Sequence, residues 1–277
     1  MISKEAFIAQ LRTDIDNDTL VLPTLPEVAL QVRDAVNDPD ISLADIANMV
    51  ARDPSLSARL LQISNSALYR SDKTNTDLKM AVSRMGLNAV RSVVTSLAMK
   101  QIFQATSDVL DEWLRSLWDH STRVATIAAT LAQEHRHLAK DQALLAGLVH
   151  DIGYLPILVK AEETPELLDE PEALDAIIAE IHPEIGRLIL QSWGFPAEIV
   201  AVAAEHENLA RDPGGAPDLV DVVQVANLQS YFGTSHPLGA TDWGSVPAFS
   251  RMGIETEAEE IHMSLPGEAD DIQSMIA

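Results

Sequence analysis

The chain has 277 residues, 47% of them hydrophobic, and a formal net charge of −23 at pH 7. This length allows one large core or two modest ones. The charge argues against a free-standing nucleic-acid-binding protein, because contact with phosphates needs clustered Lys and Arg. An acidic excess keeps a surface solvated, and it also means that any anionic substrate would need a bound cation to offset the field. Charge alone leaves both interpretations open.

The sequence gives no sign of secretion or of a membrane span. It contains no cysteine, which excludes disulfides and thiolate metal sites. We find no uncharged apolar run near the roughly 18 residues that a spanning helix needs. The first 15 residues mix charged and apolar side chains, unlike a signal peptide. We therefore expect a cytoplasmic protein without membrane contact.

Apolar residues recur at helical spacing along most of the chain, and strand-type alternation is scarce. In the first part this spacing and its flanking breaks predict helices at roughly 2–15, 24–36, 42–51, 54–66, 78–85 and 88–103. In the second part they predict helices at roughly 113–134, 141–151, 173–180, 183–193, 197–207 and 218–232. The pattern predicts an all-α protein.

Two local signals refine this pattern. Pro183 is expected to start a new helix, with His182 as its N-cap, because proline is tolerated in a first turn but not in a helix interior. Gly153 is expected to end its helix in the left-handed conformation that glycine favours. The two helical blocks divide near residue 107. We predict an N-terminal helical lobe at 1–107, a second helical lobe at 108–233 and an acidic, irregular tail at 234–277.

The adjacent pair His150 and Asp151 ends a helix of small and apolar residues, and both side chains are good ligands for a divalent cation. Four further candidates lie on or beside apolar helices, and they are His120, His182, His206 and Asp221. Taken alone, each is more simply explained as a side chain that is half-exposed or has an ordinary hydrogen-bond partner. Together they are more informative, because an unpaired polar group on an apolar helix costs a few kcal/mol and a shared cation removes that cost.

The ordered set His120, His150-Asp151, Asp221 resembles the HD superfamily of metal-dependent phosphohydrolases, and the fuller pattern resembles its HDOD branch (HD-related output domain). The resemblance covers about residues 20–232. In the first lobe it rests on the stretches 22–26, 53–56, 63–67 and 81–86. In the second lobe it rests on 117–121, 146–153, 182–186 and 192–196. It implies a two-lobed helical bundle of the HD-domain, phosphodiesterase-like kind.

Carried over to this chain, the resemblance implies that His120, His150, Asp151 and Asp221 are metal ligands. His182 and His206 match positions that complete a second site in relatives with two metals. Histidine and carboxylate ligands suit Mn, Fe, Zn, Ni or, less well, Mg. Such an ion would activate a water that Asp151 orients, and Arg123, one turn beyond His120, would hold phosphate unless it is only a surface charge.

The sequence also departs from the relatives that cleave cyclic dinucleotides. Tyr154 stands where they carry Lys, and Glu205 stands where they often carry another His. Their Gly-Tyr-Pro motif is missing from residues 208–215. These departures argue against hydrolysis of cyclic di-GMP.

Three functional interpretations follow. The HDOD resemblance favours a bacterial signal-transduction or regulatory protein whose output is contact with another signalling protein. The complete ligand set favours the alternative, a metal-dependent phosphohydrolase acting on a nucleotide or other phosphoester. In the third interpretation the six residues form a hydrogen-bonded cluster without metal.

Overall fold

Every regular element in the described part of the chain is helical. The computed structural model describes residues 3–38, 40–69, 74–104 and 108–256. The first part contains α1 (Lys4–Asp16), α2 (Glu27–Val36), α3 (Leu43–Val50), α4 (Pro54–Asn65), α5 (Leu78–Met85) and α6 (Leu87–Met99). Single-turn 3-10 helices follow α4 and α6 at Ala67–Tyr69 and Lys100–Phe103. The predicted all-α class is confirmed.

The second part contains the longer helices. They are α7 (Asp108–Ala132), α8 (Lys140–Val149), α9 (Tyr154–Glu162), α10 (Pro165–Leu168), α11 (Pro171–Ser192), α12 (Ala197–Glu205), α13 (Leu219–Ser230) and α14 (Pro247–Arg251). Helix α8 packs between α7, α13 and α12, and it also contacts α6 of the first part. Helix α8 is therefore a central element, and eight of its ten residues are buried.

Local sequence explains where several helices of the first part begin. Ser42 and Asp45 form a reciprocal capping box at the start of α3, which satisfies two backbone N–H groups that the helix leaves free. The Asp53 carboxylate accepts from two backbone N–H groups at the start of α4, and Pro54 occupies the first turn. These starts agree with the sequence-based prediction because capping depends on neighbours within three residues.

The expected break at Pro183 is wrong. Pro183 lies inside the continuous helix α11, and His182 is therefore in the middle of a helix instead of at its N-cap. The apolar face of α11 continues through this point, with Ile178, Ile181 and Ile185 almost fully buried. Tertiary packing on both sides of Pro183 thus outweighs the local cost of one missing backbone hydrogen bond.

Gly153 is needed for a different reason from the one expected. Its φ is −65°, which is right-handed helical backbone that any residue adopts. A Cβ atom at this position would collide with the backbone carbonyl oxygen of His182 and lie 2.8 Å from the backbone nitrogen of Gly186. The glycine therefore allows the turn between α8 and α9 to approach the backbone of α11.

The beginning of the predicted irregular tail is ordered. Two 3-10 helices, at Pro237–Ala240 and Trp243–Ser245, precede α14. Trp243 and Phe249 are buried and stack at a centroid distance of 4.9 Å. Residues 257–277 lie outside the described residues, as does the predicted lobe boundary at 107.

One stretch, Lys140–Glu162, is apolar and long enough to cross a membrane by length and composition alone. It comprises α8 and α9, and 83% of its most apolar window is buried inside the fold. Burial of this kind is typical of a core helix in a globular domain, so the stretch is weak evidence for a membrane span.

Substitution of Gly153 by Ala should destabilise the protein by about 3 kcal/mol, because the new methyl group meets backbone atoms that cannot rotate away. Gly186→Ala is the matched control, since the atom nearest to its Cβ would be the Ala203 Cβ at 3.3 Å and the nearest backbone atom would be 3.5 Å away. Urea unfolding of both variants measures the difference. Equal stabilities would contradict the close-approach explanation.

Candidate metal centre

Four helices bring five polar side chains to one place in the second part of the chain. His120 lies on α7, His150 and Asp151 lie in the turn that ends α8, and His182 lies on α11. His206 is the C-cap residue of α12. His150, His182 and His206 are completely buried, Asp151 is 3% exposed, and the His120 side chain is 15% exposed.

The Asp151 carboxylate is the centre of this group. Its Oδ2 atom lies 3.2 Å from His150 Nε2 and 3.5 Å from His120 Nε2. Its Oδ1 atom lies 3.1 Å from His206 Nε2 and 3.4 Å from His182 Nε2. Each carboxylate oxygen thus faces one pair of imidazoles.

The imidazoles within each pair approach each other through the same type of atom. The Nε2 atoms of His120 and His150 are 3.2 Å apart. The Nε2 atoms of His182 and His206 are 3.1 Å apart. Two groups of candidate ligands result, and they share Asp151. The first also contains His120 and His150, and the second also contains His182 and His206. Within each group the candidate ligand atoms lie within 4.8 Å of one another.

Backbone carbonyls determine which nitrogen carries the proton in three of these rings. The Nδ1 atom of His150 lies 2.7 Å from the Gly147 carbonyl oxygen, and that of His182 lies 2.7 Å from the Ile178 oxygen. The Nδ1 atom of His206 lies 3.1 Å from the Val202 oxygen. Because a carbonyl oxygen only accepts, each Nδ1 must donate, and in a neutral ring Nε2 then presents a lone pair.

This arrangement fits a divalent cation. In neutral rings, facing lone pairs beside a carboxylate repel one another unless a proton or a cation lies between them. A hydrogen bond from Nδ1–H to a backbone carbonyl is also the usual support that orients a metal-bound histidine. The donor chemistry of the two groups therefore suits two cation sites that share Asp151.

Burial keeps two of the rings neutral. It lowers the pKa of His120 to about 3 and that of His182 to about 4, even though Asp151 acts in the opposite direction. Burial alone would raise the pKa of Asp151. The surrounding histidines act in the opposite direction through their charge and their hydrogen bonds, and they hold the Asp151 pKa well below its usual value. Burial likewise opposes a charge on His206, yet its hydrogen bond to Asp151 raises its pKa.

The structure does not bring Asp221 into this group. Its buried carboxylate accepts from Arg251, at 3.1 Å from Nε and 2.9 Å from Nη2, and from the backbone N–H of Asp218 at 2.8 Å. Arg211 lies 3.6 Å away. Asp221 is in the first turn of α13, so its side chain caps that helix and anchors α14. Asp221 is thus absent from both groups of candidate ligand atoms among the described residues, and its role as a metal ligand stays a prediction.

Arg123 lies at the mouth of the site. It lines a cleft of about 740 Å3 together with His120, Tyr231 and His236. Its Nη1 atom is 3.5 Å from the Ser230 carbonyl oxygen, which is a weak contact. Asp111, Glu112 and Asp119 line the same cleft, so its wall carries both signs of charge.

Sequence reasoning missed three aromatic contacts and one carboxylate near the site. The Tyr231 hydroxyl lies 3.3 Å from His120 Nε2, and its ring stacks on both His120 and His236. The Tyr154 ring lies 4.9 Å from that of His182. Glu207 Oε1 lies 3.9 Å from His182 Nε2, and burial raises the Glu207 pKa. The adjacency of Glu207 to His206 was the only local signal.

Helix α13 contributes another buried oxygen that was not predicted. Asn227 is 4% exposed, and its Oδ1 atom has no hydrogen-bond partner among the described residues. Asn227 precedes Tyr231 by four positions, so the two lie on the same side of this helical segment. An unsatisfied buried carbonyl oxygen is costly, and it is also a hard metal ligand.

Comparison with known proteins gives the family. The HDOD domain matches residues 22–209. An uncharacterized protein of Treponema pallidum (strain Nichols) is 30% identical over 225 residues, which is 76% of this chain and 42% of that protein. The chain thus spans less than half the length of this relative.

Two solved structures share the fold. One, from Shewanella amazonensis SB2B and provisionally named a metal-dependent phosphohydrolase, is 29% identical with a TM-score of 0.86, and 100% of each chain is covered. The other is an HDOD domain protein with unknown function from Geobacter sulfurreducens, 22% identical with a TM-score of 0.66, and 98% and 97% of the two chains are covered. The chain belongs to the HDOD family and has its helical fold.

The substitutions Asp221→Asn and Asp151→Asn should distinguish the roles of the two buried carboxylates. The first leaves Arg251 with a neutral partner, and we expect a loss of about 3 kcal/mol in the free energy of unfolding with metal content unchanged. The second should abolish or halve bound metal. Urea unfolding and elemental analysis of the same preparations measure both effects. Loss of metal in Asp221→Asn would return this residue to the ligand set.

Proposed function

We propose that this HDOD protein binds two divalent cations and uses them to hydrolyse a phosphoester. The observation that carries the proposal is the buried Asp151 carboxylate, flanked on each oxygen by a pair of imidazole Nε2 atoms. A chance cluster would not be expected to hold three Nδ1 atoms on backbone carbonyls as well.

The five clustered residues would form two cation sites. His120 and His150 with Asp151 Oδ2 would hold one cation, and His182 and His206 with Asp151 Oδ1 would hold the other. Cations held in this way lower the pKa of a bound water and polarise a phosphoryl oxygen. The histidine-rich donor set favours Mn, Fe, Zn or Ni over Mg.

Helix α13 would add Asn227 in place of Asp221. The support is the unpaired Oδ1 atom of Asn227 and its position one turn before Tyr231, which reaches His120. Asp221, by contrast, is already paired with Arg251. Asn227→Asp should therefore tighten metal binding, because it supplies a charged oxygen at the same place.

The cleft beside His120 is the proposed entrance for substrate. Arg123 projects from its wall and offers a guanidinium that matches phosphate oxygens. Three carboxylates on the same wall disfavour a highly charged polyanion. A phosphoester of low charge, such as a nucleoside monophosphate, fits these features better than a nucleoside triphosphate, and the provisional name of the Shewanella relative is consistent with this class.

The cation stoichiometry is the first test. Protein purified without chelator, or reloaded with Mn, should contain about two cations per chain. His150→Ala and His182→Ala should each lose at least one of them, whereas His135→Ala, whose ring contacts only His137 among the described aromatic pairs, should lose none. Elemental analysis measures the content. Metal-free protein after reloading would refute the proposal.

Turnover is the second test. Loaded protein should hydrolyse at least one member of a panel of nucleotides and aryl phosphoesters, and Asp151→Asn should abolish the activity. Arg123→Gln should lower kcat/KM by roughly 10-fold, the effect of about 1.4 kcal/mol of lost phosphate binding. Loaded wild-type protein that turns over nothing in the panel would leave the metal centre without the proposed chemistry.

A second candidate function is regulatory. Tyr231 stacks on His120 and His236 and places its hydroxyl 3.3 Å from His120 Nε2, so its ring would cover the side of the cluster that faces the cleft. A centre covered in this way would control the shape of the domain and its contact with a signalling partner protein. Metal-dependent capture of one partner protein, with no turnover by Tyr231→Ala or by wild type, would favour this role.

A further inference from the structure

A second cavity lies where the first helices meet the second part of the chain. It has a volume of about 240 Å3 and is bounded by α2, α6, α8 and the turn that leads into α12. None of its lining residues belongs to the metal cluster or to the cleft beside His120. It is therefore a separate site.

The polar wall of this cavity is basic in a strongly acidic protein. Helix α2 contributes Arg33, and α6 contributes Arg91, Ser92 and Thr95. The described lining residues include no carboxylate, whereas the cleft beside His120 has three. Since the chain carries 42 acidic and 19 basic residues, a cavity wall with two arginines and no acid is a selective place for an anion.

The two guanidinium groups differ in their hydrogen-bond and ion-pair partners. Arg33 donates from Nη1 to the Trp193 carbonyl oxygen at 2.6 Å and from Nε and Nη2 to Asp34. Its position is thus held across the two parts of the chain. In the described part of the protein, Arg91 forms no ion pair or hydrogen bond, although it is half-buried. Arg91 is the cation available to a ligand.

Two hydroxyl-bearing residues of α6 accompany Arg91 in the cavity lining. Ser92 is 3% exposed and Thr95 is 4% exposed, and both line the cavity. Arg91 and Thr95 are four positions apart and so lie on one face of α6. A guanidinium with adjacent hydroxyls is a common recognition group for carboxylate and phosphate.

The cavity lining also has an apolar part. Leu25, Leu145, Phe195 and Ile199 form it. Pockets for drug-sized ligands start at about 300 Å3, so 240 Å3 suits a smaller molecule and excludes a dinucleotide. The complementary ligand has one anionic group and a compact apolar or aromatic body.

We propose that this cavity is a binding site for a small organic anion, with its carboxylate or phosphate on Arg91, Ser92 and Thr95 and its apolar body against Leu145, Phe195 and Ile199. An occupant would contact α8 and α12, the helices that end at His150 and His206. The proposal does not depend on hydrolase activity.

Calorimetric titration of the full chain with phenylphosphonate and with benzoate tests it, since the two probes share a ring and differ in the anion. At least one should bind, and the neutral analogue benzyl alcohol should bind at least tenfold more weakly. Arg91→Gln should weaken binding of the anion about tenfold or more, which is the factor given by a loss of about 1.4 kcal/mol in binding free energy. Arg91→Lys keeps the charge, and its affinity for the anion should lie between those of Arg91→Gln and wild type.

Two controls separate this site from the metal centre. Arg123→Gln alters the cleft beside His120 and Asp151→Asn alters the metal cluster, and both should leave the affinity for the probe unchanged. Thermal unfolding should show that Arg91→Gln is folded. Absence of binding by both anions, equal binding of benzyl alcohol, or full affinity in Arg91→Gln would overturn the proposal. Loss of affinity only in Arg123→Gln or Asp151→Asn would assign the probe to the metal centre instead.

Discussion

The rest of the second part of the chain depends on one buried carboxylate. Asp151 is 3% exposed, and its two oxygens face four imidazole nitrogens from α7, α11 and the ends of α8 and α12. A charge this deep is costly unless opposite charge or a cation compensates it. The helices that deliver the histidines are therefore constrained to a single relative arrangement, and Gly153 is required because the turn carrying Asp151 approaches the backbone of α11.

A second buried carboxylate shows that ligand type alone does not define a metal site. Asp221 has the right chemistry and complete burial, yet Arg251 and the Asp218 N–H satisfy it. This ion pair attaches α14 to the first turn of α13 and so fixes the segment that follows Tyr231. In this protein one buried acid organises the candidate centre and the other fastens α14 to α13.

The distribution of charge over the cavities gives the two sites different preferences. The cleft beside His120 combines Arg115 and Arg123 with three carboxylates, so a ligand there would be bound mainly through the cations of the cluster. The cavity beside Arg91 has arginine without acid and attracts an anion directly. In a protein with a net charge of −23, anion binding at either place would need a local source of positive charge.

The sequence by itself determined the helical class, the starts of helices with capping residues such as Asp53, and the four histidines that converge around Asp151. These features depend on periodicity and on neighbours a few positions apart, or on a family motif. Tertiary structure alone decided that α11 continues through Pro183, that Asp221 pairs with Arg251, and that Tyr231 covers His120. Each of these depends on contacts between residues 30 or more positions apart, or on burial that outweighs a local preference, and neither is encoded in a short stretch of chain.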